Sequence, residues 1–173
     1  MAFDFDGVVA GRVWCFGDSI DTDVIYPYYR YPSEAEVRKH TMEAVNPEFP
    51  LQVKEGDLLV AGRNFGCGSS RPGNILFDVG IAAVVAESFS RLFFRNCVSQ
   101  GLPLFVAPGI STLVKTGDTL EIDYPNGRLV NRGTGKQLPL QTYPPMVEGI
   151  YQAGGILQLA KRRYDEERAA GQR

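Results

Sequence analysis

The sequence has 173 residues and a net charge of −2, and 44% of its residues are hydrophobic while 22% are charged, which is ordinary for a globular protein. This length predicts a single domain, and the small net charge gives no reason to expect a nucleic acid as a partner. No apolar run approaches the roughly 20 residues that a membrane-spanning helix needs, and the acidic first residues lack the basic start of a signal peptide, so we expect a cytoplasmic protein without membrane contact.

Cysteine and histidine are too few and too scattered for a metal site made by this chain alone. The three cysteines, Cys15, Cys67 and Cys97, lie far apart and form no CxxC pair, which argues against an iron–sulfur site. The single histidine, His40, argues against a histidine-rich zinc site, and also against a Ser-His-Asp triad unless it lies beside a serine. We therefore expect no metal ligand in this chain.

The first part of the chain alternates between apolar and polar segments. Residues 8–16 are typical of a strand, and residues 17–23 form a polar turn with three aspartates, for which solvated turn chemistry is the simpler interpretation. The aromatic segment 26–32 fits either a hydrophobic lid or a subunit contact. A capping-box pattern from Ser33 predicts a helix to about Val45, and His40 lies on it as a solvated residue.

A glycine-rich loop, residues 62–73, is the strongest candidate for a functional site. It follows an apolar run, 57–61, that predicts a buried strand, and it precedes a short predicted helix at 74–79. Glycines let a ligand approach the backbone, and free N–H groups at a helix start attract negative charge. Pro72 suits the first turn of that helix, and Arg71 adds a cationic fork that suits a carboxylate or a phosphate.

The chemistry of the loop stays open when it is judged from local physics alone. Ser69 fits a nucleophile, a general base acting as its alkoxide, or a helix cap, and Ser70 fits the cap equally well. Cys67 fits either a reactive thiol, with a pKa lowered by the helix start, or a small packing residue, and we favour packing. The loop has neither the Walker pattern nor the spaced glycines of a dinucleotide fold.

The remainder of the chain predicts an α/β core followed by a different architecture. Residues 81–86 and 102–106 are typical of buried strands, and a helix from Phe89 to Gln100, capped by Ser88, joins them. The later elements are predicted as strands at 119–124, 128–130 and 137–140 with a hairpin turn at 125–127, and as helices at 146–152 and 156–161. We expect one domain over residues 1–162 and a charged tail, 163–173, that frays.

Four segments, in this order, resemble the small subunit of 3-isopropylmalate dehydratase and the related archaeal-type homoaconitase small subunit. They are Asp21–Pro27, Asn64–Arg71, Ala86–Asn96 and Ala153–Ile156. Together they cover about residues 11 to 160, and the ordered set is far more specific than the loop alone. The resemblance implies an α/β fold, the swivelling β/β/α domain of the aconitase superfamily.

The resemblance also implies a reaction and a partner. Members of that family dehydrate and rehydrate a hydroxy acid, which moves its hydroxyl to the neighbouring carbon, and 3-isopropylmalate in leucine biosynthesis is the expected substrate. A separate large subunit is expected to carry a [4Fe–4S] cluster whose open iron acts as a Lewis acid. The residues that match catalytic positions are Ser69, as the base, and Asp23. Those that match substrate-binding positions are Arg71, Ser70, Gly68, Thr22 and Arg30.

Two departures from the family pattern leave the substrate open. Pro72-Gly73 replaces the acidic residue that usually follows Ser-Ser-Arg, and Arg30 stands where isopropylmalate enzymes often have an apolar residue. We therefore expect that a homoaconitate-type or dimethylmalate-type acid is an alternative substrate. A non-catalytic, dicarboxylate-binding regulatory module is the alternative of a different class, and a serine hydrolase is disfavoured by the lone His40.

Overall fold

The computed structural model describes residues 3–69 and 73–170. Seven strands form one sheet in the order β4-β3-β2-β1-β5-β6-β7. They are β1 (Val8–Phe16), β2 (Asp57–Ala61), β3 (Ile81–Ala86), β4 (Leu104–Val106), β5 (Thr119–Asp123), β6 (Arg128–Asn131) and β7 (Gln137–Pro139). Every strand predicted from the sequence is present, with ends that differ by at most two residues.

The sheet has a parallel half and an antiparallel half that meet at β1. Strands β4, β3, β2 and β1 run parallel, while β5, β6 and β7 add to β1 as antiparallel neighbours. All five residues of β2 are buried, as the apolar run predicted, because β2 lies between two strands and is covered on both faces. The carboxyl ends of the four parallel strands meet at one edge, where ligands bind in open α/β sheets.

In the described part of the chain, eight helices cover the sheet and its edges. They are α1 (Thr22–Ile25), α2 (Glu34–Lys39), α3 (Phe49–Gln52), α4 (Ile75–Asp78), α5 (Arg91–Gln100), α6 (Ile110–Leu113), α7 (Pro145–Ala153) and α8 (Ile156–Ala170). None of the helices within residues 3–69 and 73–170 combines the length and the apolar character that crossing a lipid bilayer requires.

Side chains that alternate along each parallel strand feed two separate hydrophobic cores. Leu58 and Val60 of β2 join the core that contains Phe105, while Leu59 and Ala61 join the core on the opposite face. This division follows from the two-residue period of a strand. A continuous apolar run is thus the expected signature of β2, which explains why its sequence predicted a buried strand.

Three helix predictions were wrong at their ends. Helix α2 ends at Lys39 instead of Val45, because His40 leaves the helical conformation and Met42 adopts a left-handed φ of 61°. Helix α5 begins at Arg91 because Ser90, and not Ser88, caps it by accepting a hydrogen bond from Phe93 N. Helix α8 continues to Ala170 instead of ending at Lys161, and the fraying of the tail stays a prediction.

Candidate active site

The glycine-rich loop leaves the carboxyl end of β2 and is fastened first to the turn that follows β1. The backbone N–H of Arg63 donates to Oδ1 of Asp18 at 2.6 Å, and Ser19 N donates to the Arg63 carbonyl at 2.7 Å. Gly62 is buried, and the Asp18 carboxylate occupies the space that a side chain at position 62 would need. Asp18 thus holds the start of the loop, so one of the three aspartates of the predicted polar turn has a structural contact.

The middle of the loop is fastened to the segment after β3. Asn64 N donates to Ser88 Oγ at 2.9 Å, and Phe65 forms two backbone hydrogen bonds, to Ser88 O and from Ser90 N. Phe65 itself is fully buried. Gly66 has a φ of 76°, and a Cβ atom there would overlap the ring of Phe93. The loop can therefore pass over α5 only with a glycine at this point.

The next stretch of the loop lies parallel to the segment that begins α1. Gly66 N and Cys67 N both donate to the Ile20 carbonyl, at 2.9 and 3.1 Å, and Thr22 N donates to the Cys67 carbonyl at 2.8 Å. These bonds form an isolated parallel bridge between Asp21 and Cys67. Two of the segments whose motifs resemble the dehydratase family are thus in direct contact, although Asp21 and Cys67 lie 46 positions apart in the chain.

Thr22 has a different contact from the one expected. It is fully buried, and its Oγ1 donates to the backbone carbonyl of Ser69 at 2.9 Å. The hydroxyl was predicted to bind substrate, but in this structure it is engaged by the loop that carries the proposed base. Sequence reasoning placed Thr22 at the site but did not predict this contact, because the distance between two loops cannot be derived from local patterns.

Asp21 was not predicted to have a role at the site, yet its carboxylate lies between α1 and the loop. It caps α1, since Oδ1 accepts a hydrogen bond from Asp23 N at 2.7 Å. A Cβ atom at Gly68, whose φ is 97°, would come within 2.6 Å of Asp21 Oδ2. Because Gly68 has no side chain, the Asp21 carboxylate can lie directly beside its backbone. The capping preference of aspartate was the signal available in the sequence.

Ser69 is exposed at the outer end of this loop, and Gly68 before it is exposed as well. The predicted substrate-binding residues Ser70 and Arg71, together with Pro72, lie outside the described residues. Beyond them, Gly73 N and Asn74 N both donate to Gln100 Oε1 at 3.0 Å. The expectation of free N–H groups at this helix start was therefore wrong for these two amides, because a side chain of α5 accepts both.

A small cavity of about 130 Å³ brings Asp23 and Arg30 together. Arg30 is exposed, and its guanidinium lies over the ring of Tyr29, with 5.5 Å from Cζ to the ring centroid. Asp23 is half-buried at the second position of α1. A carboxylate and a guanidinium that line one opening provide an acceptor and a cationic fork for a polar acid. The structure thus unites two of the predicted site residues.

His40 also lines this cavity, which the sequence did not predict. Its ring stacks on Tyr31 with centroids 3.9 Å apart and an interplanar angle of 2°, and its Nδ1 lies 2.7 Å from Glu43 Oε2. The prediction of a solvated helix-face histidine was therefore wrong. The early end of α2 places His40 in a turn, where it faces the aromatic segment and not the solvent alone.

The environments of the three thiols do not favour a reactive cysteine. Burial, and then the charge of Asp21, raises the pKa of Cys67, whose Sγ donates to the Ser19 carbonyl at 3.3 Å. Burial raises the pKa of Cys15 to about 11 and raises that of Cys97 further. The suggestion that the helix start lowers the pKa of Cys67 was wrong, and the packing interpretation agrees with its contacts.

The chain's own residues do not fit an iron–sulfur cluster. Within residues 3–69 and 73–170, no three His, Cys, Asp or Glu side chains are grouped as metal ligands. Cys97 is fully buried, and the space beside Gly73 is filled by its Sγ atom, so this thiol has no room for an iron. A cluster needs several thiolates at one point, which this donor set does not provide.

A second polar cleft, of about 660 Å³, lies at the carboxyl ends of the parallel strands. Its floor includes Glu87, which follows β3 and accepts hydrogen bonds from Gly109 N at 2.8 Å and from both Ser111 N and Ser111 Oγ. Burial alone would raise the pKa of Glu87, but these hydrogen bonds and the charge of Arg63 outweigh it, so the pKa is lowered. Glu87 therefore acts as an ionised cap for α6.

Comparison with known proteins places this geometry in a family. The aconitase C-terminal domain family matches residues 19–108, which include both the α1 segment and the loop. The 3-isopropylmalate dehydratase small subunit 1 of Methanopyrus kandleri is 45% identical over 159 residues, with 90% of this chain and 94% of that protein covered. The methanogen homoaconitase small subunit of Methanothermobacter thermautotrophicus is 41% identical, with 88% and 90% covered.

A solved structure confirms the fold. The structure of 3-isopropylmalate dehydratase from Methanocaldococcus jannaschii superposes with a TM-score of 0.85 at 37% sequence identity. The match covers 94% of this chain and 99% of that one. The α/β swivelling-domain fold expected from the four sequence segments is thereby confirmed.

Proposed function

The chain belongs to the family of 3-isopropylmalate dehydratase small subunits, and we propose on that basis that it is the small subunit of a hydro-lyase. The enzyme isomerises a hydroxy acid by dehydration and rehydration, and leucine biosynthesis is its expected pathway. The observation on which the proposal rests is the exposed Ser69, held at the carboxyl edge of the parallel strands by two segments of the family signature.

We assign Ser69 as the base that removes a proton from the carbon next to a substrate carboxylate. A serine does this as its alkoxide, which requires donors and positive charge nearby. Arg71 follows two residues later, and we propose that it supplies this charge and clamps the carboxylate. Ser70 and Gly68 are proposed to bind the substrate through the adjacent backbone. Asp23 is proposed to face the same site from α1.

We propose that the cofactor and half of the pocket belong to a partner. This chain's donor set does not fit a cluster, so the [4Fe–4S] cluster expected for the reaction is assigned to a large subunit, together with the activation of the leaving hydroxyl. The complex is proposed to be cytoplasmic, and no nucleic acid or membrane is expected as a partner. This chain is proposed to contribute a proton acceptor and carboxylate-binding groups. These groups complete the active site when the chain binds to the large subunit.

The cavity between Asp23 and Arg30 supports a proposal about the substrate. Arg30 is exposed and rests on Tyr29, so its fork is free to meet an additional carboxylate or polar group. 3-Isopropylmalate remains the expected substrate, and homoaconitate-type and dimethylmalate-type acids are the alternatives. Relatives of similar identity bear the names of both isopropylmalate and homoaconitase subunits, so sequence identity does not separate these substrates.

Anaerobic co-purification with the large subunit, followed by assay of the complex, tests the proposal. We expect a brown complex that isomerises at least one of the three acids, and we expect Ser69→Ala to abolish turnover while the two subunits stay associated. Ser99→Ala is the matched control, because Ser99 is exposed on α5 and its Oγ donates to the Asn96 carbonyl of the same helix. Full activity of Ser69→Ala would refute the assignment of the base.

A regulatory module that binds a dicarboxylate is the second candidate, favoured only by the Asp23–Arg30 cavity in the single chain. It predicts that the isolated chain binds 3-isopropylmalate by calorimetry and that Ser69→Ala leaves a partner's activity unchanged. The hydro-lyase proposal predicts that the isolated chain does not bind 3-isopropylmalate and that Ser69→Ala abolishes the activity of the complex.

A further inference from the structure

Thr22 holds the loop at two points that lie on either side of Gly68. Its backbone N–H donates to the Cys67 carbonyl at 2.8 Å, and its Oγ1 donates to the Ser69 carbonyl at 2.9 Å. One fully buried residue thus fixes both the peptide group before Gly68 and the one after Ser69. Neither contact uses the Ser69 hydroxyl, which leaves that group available for chemistry.

Gly68 is the point at which the backbone of the loop would rotate most easily if no contact held it. Its φ of 97° is in a region that L side chains rarely adopt, and the Asp21 carboxylate beside it excludes any Cβ atom. A glycine has the widest choice of backbone conformations, so rotation at Gly68 would swing Ser69 through space. The bond from Thr22 Oγ1 holds the loop directly after this pivot and opposes that rotation.

We propose that Thr22 is a positioning residue that sets the orientation of Ser69 for proton abstraction. The inference rests on the proposed role of Ser69 as the base. Thr22 does not touch the substrate, because it is fully buried. Its hydroxyl acts through the Ser69 backbone, so that the Oγ atom meets the substrate's α-proton at the required distance. Misplacement of a reacting group by about 1 Å costs on the order of 100-fold in rate.

A purely structural role is the competing explanation, and the chain contains a matched control for it. Thr41 is also fully buried, and its Oγ1 donates to the Val37 carbonyl at 3.2 Å, away from the loop. Replacing either threonine with valine removes a buried hydroxyl and the hydrogen bond that it donates to a carbonyl, although the Val37 carbonyl keeps the bond from His40 N at 3.0 Å. A loss that reflects general stability will therefore appear in both variants, whereas a positioning effect will appear only at Thr22.

The test uses the complex with the large subunit and the acid that it isomerises best. We expect Thr22→Val and Thr22→Ala to lower kcat by about 10- to 100-fold, with KM changed by less than about threefold, because substrate contacts are intact. Thr22→Ser keeps the hydroxyl and is expected to stay within about threefold of the wild-type kcat. Thr41→Val is expected to match Thr22→Val in thermal stability and to keep its kcat.

A double-mutant cycle with Ser69→Ala separates this inference from the function on which it rests. If Thr22 acts through Ser69, Thr22→Val lowers kcat in the wild type and has no further effect on the residual rate of Ser69→Ala. An active Ser69→Ala enzyme refutes the proposed base. A dead Ser69→Ala enzyme, combined with wild-type kcat in both Thr22→Val and Thr22→Ala, refutes the positioning role alone.

Two further results would also overturn the inference. One is a Thr22→Ser variant that loses as much kcat as Thr22→Val, since the hydroxyl would then not be the determinant. The other is a Thr22→Ala variant that no longer folds or no longer assembles with the large subunit, because the remaining bond from Thr22 N to the Cys67 carbonyl must be enough to keep the loop attached.

Discussion

Arg12 on β1 and Asp57 on β2 form an ion pair, with 2.6 Å between Nη2 and Oδ2. The Asp57 carboxylate is buried and also accepts hydrogen bonds from Trp14 Nε1 at 2.8 Å and from Lys54 N at 3.0 Å. It therefore joins the two central strands at the end of the sheet opposite the glycine-rich loop. Each of its donors would be left without this acceptor if the carboxylate were removed.

Removal of this carboxylate is expected to destabilise the fold. Asp57→Ala leaves the buried Nε1 of Trp14 and the partly buried amide of Lys54 without this acceptor, and we expect a loss of about 2–4 kcal/mol in the free energy of unfolding. Urea unfolding followed by tryptophan fluorescence measures it. Asp78→Ala is the control, because Asp78 forms the more exposed ion pair with Arg38, for which less than about 1 kcal/mol is expected.

The same carboxylate predicts a dependence of stability on pH. Burial alone would raise the pKa of Asp57, but the hydrogen bonds from Arg12, Trp14 and Lys54 outweigh it, so the pKa is lowered. A lowered pKa contributes stability above the unfolded value of about 3.9, and this contribution is lost as the pH falls through the folded value. We expect the stability difference between wild type and Asp57→Asn to shrink from pH 5 to pH 2. A constant difference would contradict this origin.

Cys67 is expected to be dispensable although it lies in the loop. Its raised pKa and its bond to the Ser19 carbonyl indicate packing and not nucleophilic chemistry. Cys67→Ala should keep activity within about threefold, because only a weak thiol hydrogen bond is lost. A thiol reagent at pH 7 should label the folded chain slowly and the urea-unfolded chain rapidly. Rapid loss of activity on labelling that Cys67→Ala prevents would indicate a reactive thiol.

A pair of glycine substitutions separates steric overlap from backbone strain. Gly66 and Gly135 have similar φ values, 76° and 70°, but a Cβ atom overlaps the Phe93 ring only at Gly66 and meets nothing within 4 Å at Gly135. Gly135→Ala should cost about 1–2 kcal/mol from the left-handed conformation alone. Gly66→Ala should cost more and should also lower kcat, since the loop must shift. Urea unfolding and the isomerase assay measure both effects.

Local patterns were sufficient for the core and insufficient for the site. The apolar run 81–86 predicted β3 to the residue, and Gly101 ends α5 in a left-handed conformation as expected, because both signals are local. The contact of Thr22 with Ser69 and that of Gln100 with Gly73 join segments 47 and 27 residues apart. Family resemblance located Thr22 and Ser69 but neither Gly73 nor Gln100, and only the fold reveals which group each of them touches.

The division of the sheet has a consequence for how this protein can be altered. The residues named at the site all precede β5, whereas β5, β6 and β7 form the antiparallel half on the other side of β1. The hairpin turn at 125–127, exposed at Pro125 and Asn126, joins two of those strands. A peptide tag or a fluorescent label inserted there would report on the assembled enzyme without touching its chemistry. The antiparallel half thus offers an attachment point away from the residues named at the site.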